Sequence, residues 1–221
     1  MEARLASETD LAGFREEARL LLRHQVPPEA VRWHTAQAQN SDDFADAGGD
    51  GIPHDLPKAA SAIVPASFLR LCEVVVLHHD PDRFALLYRL LWRLVHEPGL
   101  RHDPVDPDMA RAHHMAQSVR RDIHKMKALV HFRPTPGGSG EALQLAWFAP
   151  AHHTLEVVAS WFARRNPRQR WAIFTPERSV EWDGRQLHYA HGVARSLAPA
   201  DDNGDEAWLA CHRDVFQGRG G

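Results

Sequence analysis

Cysteine is nearly absent from this sequence, which holds only Cys72 and Cys211. Two thiols so placed form neither a zinc-ligand spacing nor a disulfide framework, and this predicts a reducing, cytoplasmic setting. Long apolar runs are missing too. Val74-Val75-Val76-Leu77 is halted by His78-His79-Asp80, far short of a membrane span, so no membrane partner is expected. The first residues carry Glu2, Glu8 and Asp10 with no apolar stretch before Leu11, unlike a secretory leader. No phosphate-cradling glycine loop occurs, since Gly137-Gly138-Ser139-Gly140 lacks the lysine and the strand–loop–helix context of one. Sixteen histidines are present, yet none falls in an HExxH-like spacing and acids are scarce beside them, so no metal site and no cofactor are expected.

What the chain does have is core mass and a segregated charge. Its 221 residues are 43% hydrophobic, with seven Trp and nine Phe, enough for one large or two small folded domains. The net charge of −3 hides a strong internal contrast. Residues 111–175 carry ten Lys/Arg against three acids, a net of +7. Residues 1–110 carry eleven against eighteen, and 176–221 five against eight. A basic centre flanked by acidic ends points to an anionic partner, with nucleic acid the first choice.

Periodicity sketches the elements. Leu11, Phe14, Ala18, Leu21 and Leu22 predict a helix over 11–26, stopped by Pro27-Pro28. Acids, glycines and two prolines make 40–62 a solvated loop. A buried helix is expected over 66–79, then one capped by Asp80-Pro81 and ended by Pro98-Gly99. An acidic, proline-punctuated link at 103–107 leads to a helix over 109–126. Segments 127–133 and 142–148 look like an antiparallel pair around a flexible loop. A helix over 151–165, a strand over 170–175, a hairpin turning at Asp183-Gly184 and a last helix over 204–216 complete the chain.

Two constellations carry the chemistry. The first is Arg120-Arg121-Asp122-Ile123-His124-Lys125-Met126-Lys127, with Ile123 and Met126 toward a core and the cations outward. Long cations at helical spacing can meet successive phosphates, whereas the plain alternative is a solvated helix face. The second runs from Trp147 through His152-His153 into the 151–165 helix. Trp161 or His153 can stack a base there while Arg164 or Arg165 meets phosphate, against the alternative that the aromatics simply fill a core. His124 and His152 are the candidates for acid–base catalysis, although no nucleophile stands beside either.

These segments, together with Phe162-Ala163-Arg164-Arg165, Trp182-Asp183-Gly184 and the stretch from His78 to Arg93, resemble a bacterial domain of unknown function associated with DNA metabolism. The resemblance covers about residues 11–216. Members of that family are encoded beside a radical S-adenosylmethionine protein of DNA modification or repair. Some are fused at the N-terminus to a uracil-DNA-glycosylase-like domain. Members typically continue past the last helix with an Asn-Pro-Ala-Arg-like stretch, where this sequence reads Asp214-Val215-Phe216-Gln217. The resemblance implies a DNA-repair setting and supplies neither a reaction nor catalytic residues.

The expected fold is α+β, a helical N-terminal half followed by a mainly antiparallel sheet with packed helices. The expected division is a helical region 1–105, a basic α+β region 106–216 and a tail 217–221. The expected function is a DNA-repair accessory domain binding single-stranded, duplex or damaged DNA. Its contacts would come from Arg120, Arg121, His124, Lys125, Lys127, His152, His153, Trp161, Arg164 and Arg165. The alternatives are a repair enzyme using His124 and His152, and a docking module for a glycosylase or the radical enzyme.

Overall fold

A computed structural model describes residues 1–36, 64–97, 99–100, 103, 105–136, 142–200 and 204–217. The expected loop at 40–62 and the tip of the loop before residue 142 lie outside those residues. Two compact units divide the chain, Met1–Arg120 and Arg121–Gly221. The architecture is α+β, with helices leading in the first unit and a five-stranded, mostly antiparallel sheet in the second.

The first unit opens with β1 (Glu2–Leu5), α1 (Leu11–Arg23) and β2 (Arg32–Thr35). β1 and β2 pair in parallel, Ala3 opposite Trp33, a small sheet that periodicity over four-residue strands does not reveal. Asp10 caps α1 by accepting from the Gly13 amide at 2.8 Å. α2 (Ala66–Val75) is shorter than the expected 66–79 helix, because a tight turn takes over after it. The amides of Leu77 and His78 bond back only three residues, to Val74 and Val75. α3 (Arg83–His96) begins two residues later than the Asp80-Pro81 pair suggests. Asp80 instead closes a turn, its Oδ1 accepting from the Asp82 amide at 2.9 Å. Phe14, Trp33, Phe84 and Tyr88 form one aromatic cluster, with ring centres 5.1–6.1 Å apart.

Arg83 is almost wholly buried in this unit, and each of its nitrogens has an acceptor. Nε donates to Val76 O, Nη1 to Asp80 O, and Nη2 to both Glu8 O and Glu8 Oε2. Arg93 ties α3 to the start of the next helix through Asp106 at 2.7 Å and Asp108 at 3.2 Å. That helix, α4 (Pro107–Leu129), passes from the first unit into the second at Arg121.

In the second unit the sheet order is β3 (Arg133–Pro136), β4 (Ala142–Trp147), β5 (Arg170–Phe174), β6 (Arg178–Trp182), β7 (Leu187–His191). Residues 127–129 are helical rather than extended, since α4 continues until Val130 bonds back to Met126. The strand that follows starts at Arg133 and takes in two prolines. It can do so because β3 is an edge strand, where a missing donor costs no ladder bond. β4 and β5 are the parallel pair, joined by a crossover through α5 (Leu155–Arg165). β6 and β7 form the expected hairpin, Trp182 opposite Leu187, with Gly184 at φ +96° in its turn.

Both sheet faces are covered, as the unbroken apolar run Trp171–Phe174 of β5 requires. One face packs Trp171, Ile173 and Val180 against Met126 of α4 and Leu155, Val158, Ala159 and Phe162 of α5. The other packs Leu143, Leu145, Ala172 and Phe174 against Trp208 of α6 (Asp205–His212) and Val215 of the π-helical turn Arg213–Gln217.

Candidate nucleic-acid interface

The basic run on α4 contains one acid, Asp122, and that acid points inward. Only 6% of Asp122 is exposed. Its Oδ1 accepts from the Ala151 amide at 3.0 Å. Its Oδ2 accepts from the His152 amide at 3.2 Å and from Thr154 Oγ1 at 3.0 Å. Thr154 is the N-cap residue of α5, yet its hydroxyl makes no capping bond to that helix. One carboxylate therefore fixes the loop from Ala151 to Thr154 on α4 and sets where α5 starts.

With α5 held in place, its solvent-side residues meet the flank of α4. The Trp161 ring is half-buried, and Lys127 Nζ stands 5.1 Å from its centre. The Arg165 guanidinium stands 5.5 Å from the same centre, one helical turn along α5. Both distances lie within cation–π range. Arg121, His124 and Lys125 are exposed on α4. At 100° per residue, Lys127, His124, Arg121 and Lys125 follow one another around about 160° of that helix. Arg120, the residue before the unit division, is also exposed. So is Arg164.

Ion pairing separates the cations into two groups. Arg111 pairs with Asp80 at 2.9 Å, Arg133 with Asp205 at 3.1 Å and Arg170 with Glu181 at 3.1 Å. The other seven cations of 111–175 are Arg120, Arg121, Lys125, Lys127, Arg164, Arg165 and Arg168. None has a carboxylate within 4.0 Å among the described residues. Elsewhere in the second unit Arg178 pairs with Glu156 and Arg213 with Glu206. Arg185 has no carboxylate within 4.0 Å among the described residues, and Arg195 lies over Trp147 at 4.8 Å.

The histidines are placed differently. His152 is only 5% exposed. The His153 ring is half-buried and its Nδ1 lies 2.9 Å from Glu177 Oε2. His124 is exposed on α4, about 160° around the helix from Asp122, whose carboxylate holds the backbone of His152. The two candidate acid–base histidines thus differ in environment, His124 exposed and His152 buried. Neither thiol is activated. Burial pushes Cys72 up to about 12 and raises Cys211 as well. A cavity of about 480 Å³ opens in the first unit among Phe68, Leu71, Leu94, Leu100 and Met109, and none of the candidate site residues lines it.

Residues 81–217 match the family described as "Domain of unknown function (DUF4130)", and this stretch is more than half of the chain. The chain belongs to the DUF4130 family. No curated protein and no solved structure matches it. The DUF4130 region begins just before Arg83 and runs through the π-helical turn, so it includes Asp122, the 151–154 loop and the Trp161 cluster.

Several motifs of the DUF4130 region are structural. Asp183 accepts the Arg185 and Gln186 amides at 2.7 and 2.8 Å and lies 2.8 Å from His188 Nε2. The Gln186 amide, then His188 and the Arg185 amide, bring its carboxyl down to about 2. Glu181 is buried beneath α6. Burial works against its ionisation, but His212 and Arg170 outweigh that and hold its carboxyl below the usual range. His212 Nε2 lies 3.2 Å from Glu181 Oε1, off the line of a hydrogen bond. Reading the sequence missed the inward role of Asp122. Its signal is helical position, since at 100° per residue Asp122 falls on the stripe of Met115 and Met126, both buried.

Proposed function

We propose that this DUF4130 protein binds nucleic acid, DNA in particular, through the outer faces of α4 and α5 in its second unit. The observation that carries the reading is the convergence of Lys127 and Arg165 on Trp161, amid exposed cations with no carboxylate within 4.0 Å among the described residues. Cations grouped without acids repel one another until an anion arrives, and a phosphate chain supplies several anions at once. The positions of Arg164 and Arg165 also suit the negative end of α5. That preference explains why arginine stands there but does not neutralise it. Arg121, Lys125, Lys127, Arg164 and Arg165 contact phosphate in this reading, with Arg120 and His124 beside them.

The sequence resemblance supports DNA over RNA and an accessory role in cytoplasmic DNA repair, alongside a glycosylase-like domain or a radical S-adenosylmethionine protein. Phosphate contacts carry affinity but little sequence information. Five of them on a single strand give a slope of about −3.5 for log K against log salt.

Fluorescence anisotropy with labelled DNA across a salt series tests this reading, comparing wild type with Arg121→Glu/Lys125→Glu. Wild-type affinity should fall steeply with salt, and the double variant should lose at least about tenfold at low salt. Absence of binding by the wild type at low salt would overturn it.

A further inference from the structure

We propose that Trp161, with Lys127 and Arg165, forms a subsite for an unpaired nucleotide, so that this face selects single-stranded over duplex DNA. The proposal rests on the nucleic-acid reading above and adds the form of the ligand.

The position of Trp161 on α5 is the first argument. Leu155, Val158, Ala159, Phe162 and Ala163 make the buried stripe of that helix, and Trp161 stands at its border. Its ring meets Phe162 edge-on, with centres 5.0 Å apart. One turn back, Val157 is 40% exposed. The result is a small apolar strip on the outside of the helix. An indole serving only as core filler would be covered by carbon. This one packs against the Met126–Phe162 core and is also approached by an ammonium and a guanidinium.

The two cations supply the second argument. Sharing one ring centre at 5.1 and 5.5 Å puts their charges within about a Debye length of each other at ordinary salt, ~10 Å. No carboxylate among the described residues offsets either. The indole holds both side chains, which lowers the entropy cost of presenting them to an anion. A nucleotide answers both features together. Its phosphate sits between the cations while its base takes a place on the ring beside them. Any cation displaced from the ring is then free to meet an adjacent phosphate.

Base pairing decides the form of DNA. Inside a duplex the faces of each base are stacked on neighbours and only the edges are open. A tryptophan on the outside of a helix therefore reaches a base face only where the strand is single or the base is unpaired. Stacking of this kind is worth about 1–3 kcal/mol per base, roughly five- to over a hundredfold in affinity.

The test uses the full chain and two probes, a labelled single strand and the same strand annealed to its complement. Both are titrated across a salt series with wild type, Trp161→Leu, Trp161→Phe and Arg165→Gln. Wild type should prefer the single strand. Trp161→Leu should lose about tenfold on the single strand and little on the duplex, with the salt slope unchanged because no charge is removed. Trp161→Phe should retain most of the affinity, since it keeps a stacking face. Arg165→Gln should flatten the slope. Equal loss with Phe and Leu would make Trp161 a packing residue and overturn the subsite. Equal affinity for both probes, or a preference for duplex, would overturn the selectivity and leave the nucleic-acid reading intact. Failure of wild type to bind either probe at low salt would remove that reading, and the subsite with it.

Discussion

Asp122 shows how one buried carboxylate can position two helices it joins through a loop. Its oxygens take the Ala151 and His152 amides and the Thr154 hydroxyl, and so fix the approach to α5. Removing it strands two backbone donors and a hydroxyl, of which the His152 amide and the Thr154 hydroxyl are buried. Asp122→Ala should destabilise the protein by about 3 kcal/mol, a cost set by the unmet partners more than by the lost bonds. Asp122→Asn keeps two acceptor positions at most and should fall between. Urea unfolding monitored by tryptophan fluorescence measures both, and an alanine variant as stable as wild type would refute the anchoring role. Residue identities alone disclosed the outward cations of this run and its inward Ile123 and Met126. They did not disclose Asp122, because its partners are some thirty residues away and no local period records them. Arg83 was hidden for the same reason. Its partner Glu8 lies 75 residues off.

Elements were legible where one period dominates. The stripes of α1, α3 and α5 and the Asp183-Gly184 turn are in the sequence, because a half-buried helix or hairpin writes its burial pattern locally. β1, β2 and β3 were not, being four residues each, with β3 holding two prolines that only an edge strand accommodates. The β6–β7 hairpin makes a prediction in pH. Asp183 ionises near 2 in the folded protein, below its ordinary 3.8. The turn is therefore stabilised by the ionised form above about pH 4. That contribution is lost as pH falls toward about 2, where the folded protein takes up the proton. Asp183→Asn should lower stability at neutral pH and make the acid dependence shallower than that of wild type. Thermal unfolding at stepped pH values checks this, and parallel curves for the two proteins would contradict it.

At the scale of the molecule, the arrangement of charge matters more than its total. The chain is net −3, and ordinary electrostatics would not mark it as a nucleic-acid binder. Segregation along the sequence pointed to residues 111–175, and seven cations of that segment have no carboxylate within 4.0 Å among the described residues. Pairing was not readable in the sequence, since Arg133 and Arg170 meet acids far along the chain at Asp205 and Glu181. The claim that unpaired cations, and not positive charge in general, make the binding face can be tested with two variants of equal charge change. Arg164→Gln/Arg165→Gln removes two cations that have no carboxylate within 4.0 Å among the described residues. Arg178→Gln/Arg213→Gln removes two that are paired with Glu156 and Glu206. Anisotropy on one labelled single strand across a salt series should show the first variant losing about tenfold or more, with a slope shallower by about 1.4. The second should stay within about twofold of wild type. Equal losses in the two variants would contradict the account, because binding would then follow net charge alone.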